Sequence, residues 1–216
     1  MRTALVLSTI LAVCLAVLPQ DALADSPINF SSSLRVGFML PETEEFEEVY
    51  DQNYIFIYGL NFGWKIVKDL ELVGEAAYGF KDGKGIAESG EETGEEYRLH
   101  VVPAMLGVLY RLKFYENQPV VPYLGGGGNC TYYYEGRKED SEQDIDGGKW
   151  GYDGFAGLEI LLDNMDKRAA GAMETEFGIN NVYLFYEFRY QTMDDFEDEG
   201  LDLTSTIHYM GLLFEY

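Results

Sequence analysis

Residues 54–65 read YIFIYGLNFGWK. In an extended chain successive side chains point to opposite faces, so Tyr54, Phe56, Tyr58, Leu60, Phe62 and Trp64 share one side. Gly59, Asn61 and Gly63 share the other, with Ile55 and Ile57 near one end. A helix would scatter this set around its axis, and only a period of two gathers it. The gathered face is aromatic, which raises the question of what it touches.

The same alternation recurs along the chain. Taking every second residue, the apolar faces run Leu34 to Leu40, Tyr54 to Trp64, Leu70 to Phe80, Trp150 to Leu162, Leu184 to Tyr190 and Met210 to Tyr216. Those 31 positions carry no charge. The positions between them carry Arg35, Glu71, Glu75, Asp153, Glu159, Glu187, Arg189 and Glu215, together with seven glycines. A soluble sheet buries a mainly aliphatic face. Here the apolar face is rich in Tyr, Phe and Trp, especially toward strand ends, as in the aromatic girdles of a membrane barrel. Turning Arg189 toward lipid near the midplane would cost about 2–4 kcal/mol. The phase therefore points the apolar faces to lipid and the charges inward. Hydrocarbon also forbids open sheet edges, so strands in lipid must close on themselves.

Two further strands are less clean. Residues 97–114, YRLHVVPAMLGVLYRLKF, are apolar on both faces. Val102, Ala104, Leu106, Val108 and Tyr110 are placed outward and Arg111 inward, and Pro103, which cannot donate to a ladder, makes the strand irregular. Residues 120–136, VVPYLGGGGNCTYYYEG, form a strand whose register the four glycines leave open. The expected fold is all-β: an eight-stranded antiparallel up-and-down transmembrane β-barrel.

The connections fit that count. Residues 41–52, 81–96, 135–149 and 192–203 are long, whereas IVKD at 66–69 and YENQP at 115–119 are short. Long and short connections at alternate ends are expected of outer-membrane barrels. One connection departs from this: 163–180, DNMDKRAAGAMETEFGIN, is long for a turn, and either holds a short helix or extends a strand, which keeps a ten-strand count open. Charge follows the same partition. Residues 41–53 sum to −6, 81–96 to −4, 135–149 to −3 and 192–203 to −6, which is −19 of the total −23. Lys65, Lys68, Arg111, Lys113, Lys167 and Arg168 mark the short-turn end instead.

This acidity excludes nucleic-acid binding, which needs a basic footprint. It also limits what the loops can attract. Clustered carboxylates suit divalent cations, and DIDGGK at 144–149 and DDFEDEG at 194–200 offer them without EF-hand spacing. Such ions could bridge to anionic lipopolysaccharide or another partner. Disorder, the other common meaning of high net charge, is excluded by 17 Tyr, 13 Phe and 2 Trp.

The first residues, MRTALVLSTILAVCLAVLPQDALA, have a basic start, an apolar run and small residues at Ala22 and Ala24. That is the layout of a signal peptide over 1–24, leaving a mature barrel domain over 25–216. Removing it leaves Cys130 as the only cysteine, so no intrachain disulfide and no CxxC metal or redox site is expected.

Inside the barrel, Arg35, Glu75, Arg111, Asp153, Glu159, Glu187 and Arg189 make the best constellation. An eight-stranded barrel is just wide enough for side chains to fill, and buried ions need partners. A salt-bridge network that plugs and rigidifies the bore is expected. No catalytic, metal or cofactor site is assigned. His100 and His208 are the only histidines and form no legible triad, and GGGG at 125–128 lacks the Lys-Ser/Thr of a phosphate loop.

The last eight residues, YMGLLFEY, resemble the assembly signal of outer-membrane barrels, with Tyr209 as the polar or aromatic residue, Gly211 as the glycine, and Phe214 and Tyr216 as the hydrophobic pair. Residues 30–216 resemble the OmpA/OmpX-like eight-stranded barrels. VPYLGGGGNCTYYYEG is similar to that family's Pro-Tyr, Gly-rich fifth strand, GYDGFAGLEILL to its sixth, and LFYEFRY to its seventh. The resemblance implies insertion by the assembly machinery into the outer membrane of a Gram-negative bacterium, contact with its lipid and lipopolysaccharide, and no particular activity. The expected function is a monomeric, non-enzymatic contribution to envelope integrity or surface interaction through the acidic loops. The alternatives are a narrow cation channel and a soluble periplasmic lipocalin-type binder with the opposite phase.

Overall fold

Period-two patterning becomes a closed antiparallel barrel in the computed structural model, which describes residues 29–43, 46, 50, 53–67, 69–86, 92–115, 117–137, 145–193 and 203–216. Strands follow one another round the barrel in chain order: β1 (Phe30–Pro41), β2 (Ile55–Val67), β3 (Leu70–Ile86), β4 (Glu92–Arg111), β5 (Val120–Arg137), β6 (Ile145–Leu161), β7 (Asn181–Gln191) and β8 (Ser205–Glu215). β8 pairs with β1 from Ser31↔Glu215 to Pro41↔Ser205, so the sheet has no edge. Backbone groups that hydrocarbon could not satisfy are thus paired all the way round.

The alternation resolves into two opposite surfaces. Leu34, Val36, Phe38, Phe56, Trp64, Leu106, Trp150, Leu158, Leu184, Tyr186, Phe188 and Met210 are exposed on the outside. Arg35, Glu71, Glu75, Arg111, Asp153, Glu159, Glu187, Arg189 and Glu215 are buried in the bore. The contrast is steep: Leu106 is 64% exposed while Arg111, five residues along the same strand, is 2% exposed. The register of β5 is settled by its neighbours. Val108↔Gly126 and Gly126↔Gly154 place Gly126 on the outer face, so Tyr123, Asn129 and Thr131 point into the bore.

Three features differ from what the sequence led one to expect. The ladders of β3–β4 and β5–β6 continue to Ile86↔Glu92 and Glu135↔Ile145, well into the stretches taken as loops. Antiparallel pairing needs only backbone groups, and cross-strand partners such as Arg98 and Asp82, opposite each other and ion-paired at 2.7 Å, support it in polar surroundings. Second, the inward face is not polar throughout. Toward the long-loop end it becomes mainly apolar, with Met39, Ile55, Ile57, Leu99, Val101 and Ile207 all buried. Third, Lys65 and Lys113, which stand at the short-turn end as expected, also turn into the bore to pair with Glu215, which the pattern did not show.

The long connection between β6 and β7 holds a helix, α1 (Lys167–Phe177), and adds no strand. Asp166 caps its start by accepting from the backbone N–H of Arg168 and Ala169, each at 3.0 Å. Gly178, at φ 67°, ends it in the left-handed conformation. No residue of α1 is buried. At Pro103 the β3–β4 ladder lapses between Ala76↔Ala104 and Gly79↔Val101 and resumes in the same register.

Candidate functional site

The bore is built in tiers, because antiparallel strands in fixed register bring inward residues from different strands to common heights. In the middle tier β1 supplies Arg35, β3 Glu75, β5 Tyr123, β6 Asp153, β7 both Glu187 and Arg189, and β8 Tyr209. Glu187 and Arg189 are two residues apart, so one strand aims both inward. Glu75 Oε2 accepts from Arg35 Nη1 at 2.5 Å and from Arg189 Nη2 at 2.9 Å. Glu187 Oε1 accepts from Arg189 at 2.7 Å and from Arg35 at 3.4 Å, while its Oε2 accepts from the Tyr123 hydroxyl at 2.9 Å. Asp153 Oδ2 accepts from Arg189 Nη1 at 3.4 Å. The two guanidinium planes lie against rings: Arg35 over Phe185 and Tyr209, and Arg189 over Phe155 and Tyr209. Two like charges are thus held apart by two shared carboxylates and a shared aromatic face.

A second network closes the bore toward the short-turn end. Arg111 Nε donates to both oxygens of Glu159, at 3.0 and 2.8 Å, and its Nη1 donates to Glu71. Ser31 donates to Glu71 at 2.8 Å. Glu215 accepts from Lys113 at 2.9 and 3.0 Å, from Asn181 at 2.9 Å and from Tyr183 at 3.2 Å, and pairs with Lys65 at 3.4 Å. The seven inward residues named from sequence therefore fall into two separate clusters, with Arg111 and Glu159 in the lower and the other five in the middle one.

Glu71 and Glu215 belong to the lower cluster but were not among those seven, and neither were Lys65, Lys113, Ser31 and Tyr123. Alternation had placed Glu71 and Glu215 on the inward face, which was the available signal. Nothing in one strand's pattern shows at what height its residues meet those of a distant strand.

Above the ion pairs the bore is mainly apolar, with Thr131, Lys149, Gln191 and Ser205 also buried there, and it is filled from the chain itself. Phe46 and Tyr50, from the connection between β1 and β2, stack with ring centroids 4.5 Å apart and are buried against the group lined by Met39, Ile57 and Val101. The Tyr50 hydroxyl donates to Glu135 at 2.8 Å. Burial, and then the Glu135 carboxylate beside it, hold the Tyr50 phenol well above its usual range, so it stays a neutral donor.

The residues matched to the assembly signal close the sheet. Tyr209 is buried between the two guanidiniums, and a side chain at Gly211 would strike the Leu34 carbonyl oxygen and the Phe185 ring at 2.9 Å. Phe214 and Tyr216 are half-buried, the latter sharing a 3.2 Å hydrogen bond with Ser32.

Of the proposed cation ligands, Asp146 accepts from Tyr132 at 3.1 Å, while Asp144 and residues 194–200 lie outside the described residues. Among the described residues no three His, Cys, Asp or Glu side chains group as metal ligands. His100 and His208 sit on the outer surface, each sharing a 2.7 Å hydrogen bond with a tyrosine.

No family model matches the chain, and no curated protein does. Solved structures do resemble it. Outer membrane protein OprG from Pseudomonas aeruginosa superposes with a TM-score of 0.60 at 13% identity, over 91% of this chain and 99% of that one. Neisserial surface protein A superposes with a TM-score of 0.50 at 13% identity, over 87% of this chain and 97% of that one. At such identity the likeness establishes the fold, that of a small eight-stranded outer-membrane barrel.

Proposed function

From that fold, we propose that the chain works as a non-enzymatic barrel in the outer membrane of a Gram-negative bacterium, contributing to envelope integrity or surface interaction through its acidic long-loop end. The carrying observation is the inside-out phase combined with a bore shut by ion pairs. The outer face displays Leu, Phe, Tyr and Trp in continuous strips, a surface that water would drive to aggregate but hydrocarbon solvates. This argues against a soluble lipocalin-type binder, whose exterior must be polar. The bore argues against a cation channel. Arg35, Arg189 and Arg111 each contact at least two carboxylates, and a passing ion would have to break these pairs in surroundings where an unpaired charge costs several kcal/mol.

A blocked bore leaves the outer end as the working surface. The acidic segments there repel one another and other anions, keeping the surface soluble, and gather divalent cations that bridge to lipopolysaccharide. Among the described residues each histidine is hydrogen-bonded to a tyrosine rather than to a serine or cysteine, and no hydrolytic role is assigned. Planar-bilayer recording of the purified, heat-modifiable protein tests the reading. A silent membrane at moderate voltage is expected, and steady cation-selective conductance at the single-molecule level would contradict it.

A further inference from the structure

Both histidines lie on the outer surface near the long-loop end, and both are built the same way. Tyr78 Oη and His100 Nδ1 are 2.7 Å apart, and so are Tyr186 Oη and His208 Nδ1. An imidazole facing hydrocarbon is costly unless its nitrogens find partners. The tyrosine occupies Nδ1 in each pair, and the opposite edge of each ring carries Nε2. The surroundings then diverge. His100 lies among Tyr78, Phe80 and Tyr134, with centroids 5.9, 6.5 and 6.0 Å away. The Arg98 guanidinium lies 5.3 Å over the same Phe80 ring, so cation and imidazole share one aromatic platform. Asp82 holds Arg98 through Nε at 2.7 Å and Nη2 at 3.1 Å, which fixes its plane, yet the Arg98 side chain is 40% exposed. His208 sits against Tyr186 and Phe188. Among the described residues no cation stacks on those two rings.

We infer that Arg98 and His100 hold the phosphate group of a lipid in the surrounding leaflet, at the outer face of β3, β4 and β5. A half-exposed guanidinium supplies positive charge to a phosphate alongside its Asp82 pair, and an imidazole N–H adds a directed donor. The patch sits at the aromatic girdle, where headgroups lie. Below it the same face of β4 runs through Leu106 and Val108, both exposed, as a track for acyl chains. The long-loop end is otherwise dominated by carboxylates, so an anionic group is accepted only where such a cation is presented. The occupant is a lipid headgroup rather than free phosphate, because the apolar track continues the site. The inference rests on the membrane reading above.

The experiment uses the full folded barrel in phosphatidylcholine nanodiscs doped with phosphatidic acid, with retained lipid counted by native mass spectrometry. Wild type and His208→Phe are expected to retain phosphatidic acid equally. The double variant Arg98→Gln/His100→Phe is expected to lose about tenfold of that retention, and Arg98→Lys with His100 intact to recover part of it. Millimolar inorganic phosphate should not displace the lipid. Equal retention in all variants, an equal loss in His208→Phe, or displacement by inorganic phosphate would overturn the site. Heat-modifiable migration shows separately that each variant has inserted, so failure of the membrane reading is distinguishable from failure of the site.

Discussion

Glu75 is the residue on which the middle of the bore turns. One of its oxygens accepts from arginines on two different strands, Arg35 on β1 and Arg189 on β7. Removing one partner from a buried ion pair is far more damaging than replacing the whole set with apolar groups, because it strands the other charge. Glu75→Leu leaves Arg35 dependent on Glu187, and Arg189 on Glu187 and the longer Asp153 contact, and is expected to destabilise the folded barrel by about 3–5 kcal/mol. Glu187→Gln keeps an oxygen acceptor for Arg189 and should cost less. Urea titration in micelles, read as the folded band on unheated gels, checks both. Equal midpoints for Glu75→Leu and wild type would remove the network from the account of stability. These residues were legible individually, since a charge at an inward position of an otherwise apolar strand has to go into the bore. Their grouping was not. Glu215 gathers Lys65 from β2 and Lys113 from just beyond β4, and their places at the short-turn end of the sequence pattern did not show which carboxylate they would share.

At the scale of elements, strand contacts are governed by where glycine lets backbones approach. Gly107 on β4 lies opposite Gly127 on β5. A Cβ at Gly107 would meet the Gly126 carbonyl oxygen and, at 2.8 Å, the Gly127 Cα. At Gly128, on the outer face, a Cβ would meet nothing within 4 Å. Gly107→Ala is therefore expected to destabilise by about 1–3 kcal/mol through overpacking, while Gly128→Ala leaves the urea midpoint unchanged. Similar midpoints for the two variants would refute the close approach. The run of glycines that makes this contact is also what hid the register of β5 in the sequence: without side chains there is no alternation to phase. The continuation of β3–β4 and β5–β6 past their expected ends was hidden for a related reason. Once outside hydrocarbon a strand no longer needs an apolar face, so its charged residues read as loop. The helix α1 was one of two options left open for its segment, and Asp166 and Gly178, its two caps, were visible signals.

On the scale of the whole molecule, one asymmetry organises everything: lipid-compatible side chains outside and paired ions within. Eight strands, their closure and the phase of each clean strand followed from period two and from the cost of putting charge in hydrocarbon. The apolar upper bore did not, because Ile55 and Ile57 alone, near the end of one strand, do not reveal that Met39, Leu99, Val101 and Ile207 meet them from three others. That region also explains how the connection between β1 and β2 is anchored, by Phe46 and Tyr50 filling the mouth from above. The most direct measurement places spin labels one at a time along β7, in a Cys130→Ser background, with the barrel in lipid nanodiscs. Labels introduced by Leu184→Cys, Tyr186→Cys and Phe188→Cys should collide freely with oxygen dissolved in the bilayer. Those introduced by Phe185→Cys and Glu187→Cys should be shielded from both oxygen and water-soluble nickel. The reverse alternation, or equal oxygen access at all five positions, would contradict the account.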